Sequence, residues 1–190
     1  MGDVVGADDV VDLLTDPDRR VAASSWPGGL SIDGAGLYTW WTDAAGAADL
    51  SAGLGERIAA GLIYAGQTGG TTVGGVMRVA TLRSRIGGNH LRGRIGGSTF
   101  RFTLGAALMS PLGLAADAPK RLTAASEAML SAWMREHLSV CTVMVLDRGG
   151  VMAIENTVLA RLDPPLNLEG MPATSLRGQI TRLRRALGRA

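Results

Sequence analysis

Short β-rich apolar runs alternate along this chain with longer stretches whose apolar residues recur at helical spacing. Residues 8–23 (DDVVDLLTDPDRRVAA) open as a short amphipathic helix with acids in the first turn, and Pro17 interrupts it. Trp26-Pro27-Gly28-Gly29 reads as a loop. Gly36–Trp41 (GLYTWW) is a first strand and Leu62–Gly66 (LIYAG) a second, separated by a Gly/Ala-rich link of roughly twenty residues. The two strands are expected to pair as a hairpin with an enlarged loop. The glycines of 69–75 make a flexible connection; no Gly-Lys-Ser/Thr follows, so they are not a phosphate-binding P-loop.

Leu82, Ile86 and Leu91 mark a helix whose other faces are basic. Ser98 is a candidate N-cap for the next helix, with Phe100, Leu104, Ala107 and Leu108 in phase, and Pro111 ends or kinks it. Residues 121–138 predict a further helix. Ser139–Leu146 (SVCTVMVL) is the most strand-like run of the chain. Helices are expected over about 151–162, stopped by Pro164-Pro165, and over 175–188, where Leu176, Ile180, Leu183 and Leu187 form an apolar stripe among arginines. The order β, β, α, α, α, β, α, α predicts an α+β fold: a small three-stranded antiparallel sheet flanked by helices, with helical N- and C-terminal additions.

Composition narrows the class. A chain of 190 residues is expected to form one domain, with no apolar run near the ~20 residues of a membrane span and an acidic start unlike a signal peptide. The single cysteine, Cys141, falls in an apolar run and reads as a core residue; the only histidines are His90 and His137, too few for a Cys/His metal pattern. A cytoplasmic protein without an organic cofactor is expected. Net charge is only +2, but residues 1–56 carry ten acids against two arginines, whereas residues 57–116 carry seven arginines and no acid. Residues 172–190 add five more arginines. The basic tract is either a solvated face or a surface for phosphates; the charge separation favours a polyanion, and the acidic start could fold back over it.

The chemical inventory is otherwise thin. No Gly-x-Ser-x-Gly elbow and no glycosidase-type carboxylate pair occurs. His137, near a helix end, reads as a capping residue. Glu155 follows the strongest strand, where spacing alone leaves it either a surface acid or a half-buried one.

Several of these residues carry a resemblance. GLY at 36–38 and YAG at 64–66 resemble the two halves of the signature of the GIY-YIG nuclease superfamily. TLRSRIGGNH supplies the following helix, with Arg85 three residues after Leu82; Glu155 sits on the helix after the third strand, and Asn167 in PPLNLEG follows about a dozen residues later, as in some restriction-type members. The resemblance covers about residues 34–170, leaving an acidic extension (1–33) and a basic C-terminal helix (171–190) outside it. It implies a metal-dependent DNA endonuclease. Glu155 would hold Mg²⁺, for which Mn²⁺ can substitute. Tyr38 and Tyr64 would orient or deprotonate the attacking water, and Arg85 would neutralise charge developing on the phosphate. Tyrosine ordinarily titrates near 10, so a cationic setting of Arg85 and metal is expected to bring it down.

The chain departs from the family pattern at three places. Ala65 stands where isoleucine is usual, and the loop between the tyrosines is long. The family histidine, four residues after the arginine, falls on Asn89, with His90 one further on; a bulge at Gly87-Gly88 would restore His90. Arg83, Arg92, Arg94 and Arg101 are expected along the DNA backbone, and Arg182 and Arg185 on a second clamp. Double-stranded DNA is the implied partner, and cutting both strands at a short site calls for a homodimer or sequential nicking. Restriction or phage defence is the first reading of the role. A structure-specific repair or recombination nuclease and an inactive DNA-binding module are the alternatives.

Overall fold

The computed structural model of the chain describes residues 6–30, 32–68, 70–73, 76–145 and 148–189, those at 70–73, 76–79 and 148–153 through their backbone. The three expected strands are present as β2 (Gly36–Thr42), β3 (Gly61–Gln67) and β8 (Leu138–Met144). A fourth, β1 (Val21–Ala22), adds a two-residue edge that the sequence reading did not anticipate, where a helix with a proline break had been expected. All neighbours in the order β1-β8-β2-β3 are antiparallel. The expected hairpin of β2 and β3 therefore forms.

Its connection is a correction: the Gly/Ala-rich link folds as helix α2 (Ala44–Leu54). Asp43 caps it by accepting the Gly46 N–H at 2.7 Å, and Gly55 ends it with φ 67°. Its buried residues Gly46, Ala47, Leu50 and Leu54 keep helical spacing. Small residues serve close packing, since a Cβ at Gly53 would fall on the carbonyl oxygen of Ala107 in α3 (Thr99–Leu108). The segment read as a flexible glycine connection likewise pairs as a hairpin, β4 (Gly70–Val73) with β5 (Val76–Val79). A small hairpin, β6 (Ala116–Ala118) with β7 (Arg121–Leu122), occupies the start of the span expected to be helical, so α4 runs only over Ala124–His137.

Two cores sandwich the sheet. On one face, Tyr38, Trp40 and Val140 meet Leu50, Phe100, Leu104, Leu130, Trp133 and Ile180. On the other, Leu37 and Val143 meet Val10 and Leu14 of α1 (Ala7–Thr15) and Val158 of α5 (Arg148–Leu162). The period-2 alternation of β2 explains how one strand feeds both, and why nearly all of it is buried. The acidic start thus packs its apolar face on the sheet beside α5, with Asp8 ion-paired to Arg161. The C-terminal helix α6 (Ser175–Leu187) lies against α3, and its Ile180 and Leu187 enter the first core.

Candidate active site

The hairpin places two tyrosines on one face. Tyr38 pairs across the ladder with Gly66, and Tyr64 with Trp40, making the tyrosines diagonal neighbours. Gly66 is needed where it stands: a Cβ there would lie 2.7 Å from Tyr38 Oη and 3.2 Å from Tyr64 Cε1. The register shifts between Trp40 and Trp41, which leaves Ile63 without a partner on β2, a bulge immediately before Tyr64. On its outer edge β3 meets a loop in place of a strand. Leu166 N–H donates to Ile63 O at 3.0 Å, and Asn167 takes both backbone groups of Ala65, accepting its N–H at 3.0 Å and donating to its carbonyl at 2.8 Å. Both polar ends of the Asn167 amide are thereby engaged, so it holds Tyr64 in place through the chain.

The helix carrying Arg85 is a π-helix over Arg83–Leu91, not the α-helix that the spacing predicts. An i→i+5 repeat brings Arg85 and His90 to one face and turns Ile86 and Leu91 together into the core. Asn89, which an α-helix would align with Arg85, is exposed. The wider turn therefore puts His90 in the position that the sequence left open. His90 Nε2 lies 2.8 Å from Tyr38 Oη, and its Nδ1 lies 2.7 Å from Ser98 Oγ. Ser98 also accepts the Arg101 N–H at 3.1 Å as the cap of α3, so the cap and the histidine share one hydroxyl.

Burial governs the titration of this group. His90 is pushed down to about 3, by desolvation first and then by Arg85 and Arg101, so it is neutral at pH 7. Tyr38 is pushed well above the ordinary tyrosine range by desolvation, then by Tyr64; Arg85 offsets only part of this. Tyr64 is raised for the same first reason. Arg85 alone does not lower either tyrosine, because loss of water outweighs one guanidinium. Arg85 itself is partly buried, and its Nε is buried without a hydrogen-bond partner among the described residues.

These residues line a cleft of about 520 Å³ together with Gln67, Glu155, Glu169 and Arg184. Gln67 donates to Glu155 Oε2 at 2.7 Å, and half-burial raises the carboxyl above its ordinary range. Among the described residues no group of three or more His, Cys, Asp or Glu is placed to hold an ion. Glu155, with one oxygen outside the Gln67 bond and Glu169 on the same polar cleft, fits Mg²⁺, which keeps several waters and takes one or two carboxylates plus phosphate oxygens.

The arginines expected on DNA separate. Arg101 is a correction: it is 0% exposed, and it bonds Glu127, Ser131 and the His90 carbonyl beneath the site, which leaves nothing for a phosphate. Arg83 pairs with Asp33 and shares with Arg92 a different recess, beside Trp26. Arg94 is exposed, and Arg182 is exposed and bonded to Gln179. Arg185 borders a recess adjoining the cleft. Arg184, Gln67 and Glu169 were missed. Gln67 ends the strand that carries YAG, which was a usable signal, whereas Arg184 looked like any other arginine of α6. That helix turns its expected stripe inward, with Ile180 and Leu187 buried and Leu176 and Leu183 packed against the same core, and it buries Arg177 beside them.

A family model described as GIY_YIG_2, the GIY-YIG catalytic domain, matches residues 36–186, which runs from the first residue of β2 through most of α6. No curated protein and no solved structure matches the chain. No helix among the described residues is long and apolar enough to cross a membrane.

Proposed function

The chain belongs to the GIY-YIG catalytic-domain family and is a nuclease, and from that premise we propose that it hydrolyses phosphodiester bonds of double-stranded DNA with Mg²⁺, as a restriction-type endonuclease. The observation that carries this reading is the convergence on one cleft of the Tyr38–His90 pair, the Glu155 carboxylate and Arg85, whose buried Nε has no partner among the described residues. In the tautomer whose Nδ1–H donates to Ser98 Oγ, neutral His90 offers Nε2 as an acceptor. A water at the cleft would give its proton to Tyr38 Oη as Tyr38 passes its own to Nε2, so no free phenolate is needed. The water oxygen forms its bond to phosphorus, the bond to the leaving oxygen breaks, and the leaving oxygen takes a proton from solvent. Arg85 would bind the phosphate oxygens, where negative charge grows. A Mg²⁺ held by Glu155, water and phosphate would supply Lewis-acid stabilisation of the leaving oxygen. Asn167 and Gln67 serve as positioning residues, for Tyr64 and Glu155 respectively.

Cleavage of supercoiled plasmid with Mg²⁺, or Mn²⁺ in its place, by the wild type and Glu155→Ala tests this reading. Discrete fragments from the wild type alone support a restriction enzyme. Nicks without discrete fragments, with preference for branched DNA, would favour the repair or recombination role. Salt-dependent binding without cleavage by either protein would leave an inactive binding module. Cutting of both strands by a monomer in one binding event would exclude the homodimer and sequential-nicking alternatives.

A further inference from the structure

Arg184 borders two concavities. It lines the active cleft with Tyr64 and Glu155, and it also lines a recess of about 380 Å³ with Phe102, Lys120, Arg185 and Arg189. Among the described residues lining that recess four are cationic and none is acidic. The Arg184 guanidinium lies over the Phe102 ring, 4.9 Å from its centroid, and no carboxylate among the described residues pairs with it. Burial depresses its pKa, and Tyr64 offsets this in part. A half-buried cation without a counter-charge is costly unless an anion arrives from outside.

Lys120 comes to the same place from another element. It occupies the β6–β7 turn with φ 55°, a conformation that glycine or asparagine adopts more readily. Its N–H donates to Leu187 O at 3.1 Å, which fixes the turn against the end of α6. The helix dipole favours cations at a helix C-terminus and accounts for Arg185 and Arg189. It does not account for a lysine brought in by a separate hairpin, nor for an arginine turned toward the cleft.

We infer that this recess is a second phosphate subsite, in which Lys120, Arg185 and Arg189 hold backbone phosphates flanking the cut while Arg184 spans the boundary with the cleft. The occupant is a polynucleotide strand continuous with the substrate, because the two concavities share Arg184 and Leu168. The inference rests on the phosphodiesterase reading given above and adds where the strand leaves the site.

The test compares the wild type, Lys120→Gln/Arg189→Gln and a control of equal charge change, Arg57→Gln/Arg135→Gln. All four positions are exposed, so folding should survive, and Arg57 adjoins Glu56, which bonds Ser175 at the opposite end of α6. Binding of a fluorescent 30-base-pair duplex is measured in EDTA, so that nothing is cut, as a function of KCl. Plasmid cleavage is measured separately with Mg²⁺. The slope of log Kd against log salt should shrink by about two units in the recess variant. Its KM should rise about tenfold with kcat at saturating DNA within twofold, and the control should follow the wild type. A recess variant whose salt slope and KM both match those of the control overturns the inference. If the wild type cuts DNA and the slopes coincide, the subsite is wrong and the nuclease reading stands. If nothing cuts but the slope falls, the subsite stands and the catalytic assignment fails.

Discussion

Arg85 and Arg101 come from the same acid-free tract, yet the protein surrounds them in opposite ways. Arg101 is fully buried, with its Nε and Nη2 on Glu127 Oε2 at 3.1 and 2.8 Å and further bonds to Ser131 and to the carbonyls of Glu127 and His90. Arg85 lines the cleft with a buried Nε that meets no acceptor among the described residues. The protein neutralises the first arginine completely, so that it can act only on structure. It leaves the Nε of the second without an acceptor among the described residues, and such a buried donor is a cost that a bound phosphate oxygen would remove. Identity and local charge are the same in both cases; the partners differ.

The contrast breaks most directly at Arg101. Truncation to Ala leaves Glu127 as an uncompensated buried charge and should cost about 3–5 kcal/mol of stability in urea denaturation. Arg101→Met with Glu127→Leu should recover most of this, and a single variant as stable as the wild type would contradict the structural role. Arg85→Ala should do the reverse. A loss of roughly 10²–10³ in kcat, equivalent to about 2.7–4 kcal/mol of barrier, is expected with an unchanged melting temperature. A fall in thermal stability that accounts for the lost activity would place Arg85 with Arg101.

Gly66→Ala sharpens the comparison from the tyrosine side. Its new Cβ, 2.7 Å from Tyr38 Oη, must push that hydroxyl off His90. Misplacement of this size should lower kcat on the order of 10²-fold, measured alongside an unperturbed far-UV spectrum. Wild-type turnover would dismiss the Tyr38–His90 pair as the proton acceptor. The smallest effect is on pH dependence. Because His90 titrates near 3 in the folded chain against 6.5 for the free side chain, the unfolded state binds more protons between those values. Its neutral burial therefore does not weaken the protein above pH 6.5 and destabilises it progressively as pH falls toward 3. His90→Gln should flatten the stability profile between pH 4 and 6, by at most about 1.4 kcal/mol per pH unit. An unchanged slope would mean that His90 is already protonated in the fold.

Much of the architecture was legible because it is written in short-range patterns. The period-2 runs around Tyr38, Tyr64 and Cys141 and the 3.6-period runs after Ser98 and Thr174 each appear as strands or helices close to their expected places. α2 was not legible, because alanine, glycine and serine carry little periodic contrast until Leu50 and Leu54 are seen to be buried. The π-helix was hidden for a related reason. Apolar residues at 86 and 91 allow either turn size, and packing of both against the core decides between them. At the site, Tyr38, Tyr64, Arg85, Glu155 and Asn167 were all named in advance and all line the cleft. His90 was named with its place left open, Arg101 was assigned to the wrong environment, and Arg184 was not distinguished from its neighbours on α6.

The sequence alone determined the two tyrosine strands, the third long strand and the motifs that mark the family, because each of these is written in residues within one turn or one strand of each other. The tertiary structure alone decided which arginine lines the cleft, which of Asn89 and His90 does so and what Asn167 holds. The deciding contacts link residues 26 (Arg101 to Glu127), 52 (Tyr38 to His90) and 102 (Ala65 to Asn167) positions apart. Burial and hydrogen-bond satisfaction arise only when such distant segments meet, so no local window of the chain contains them.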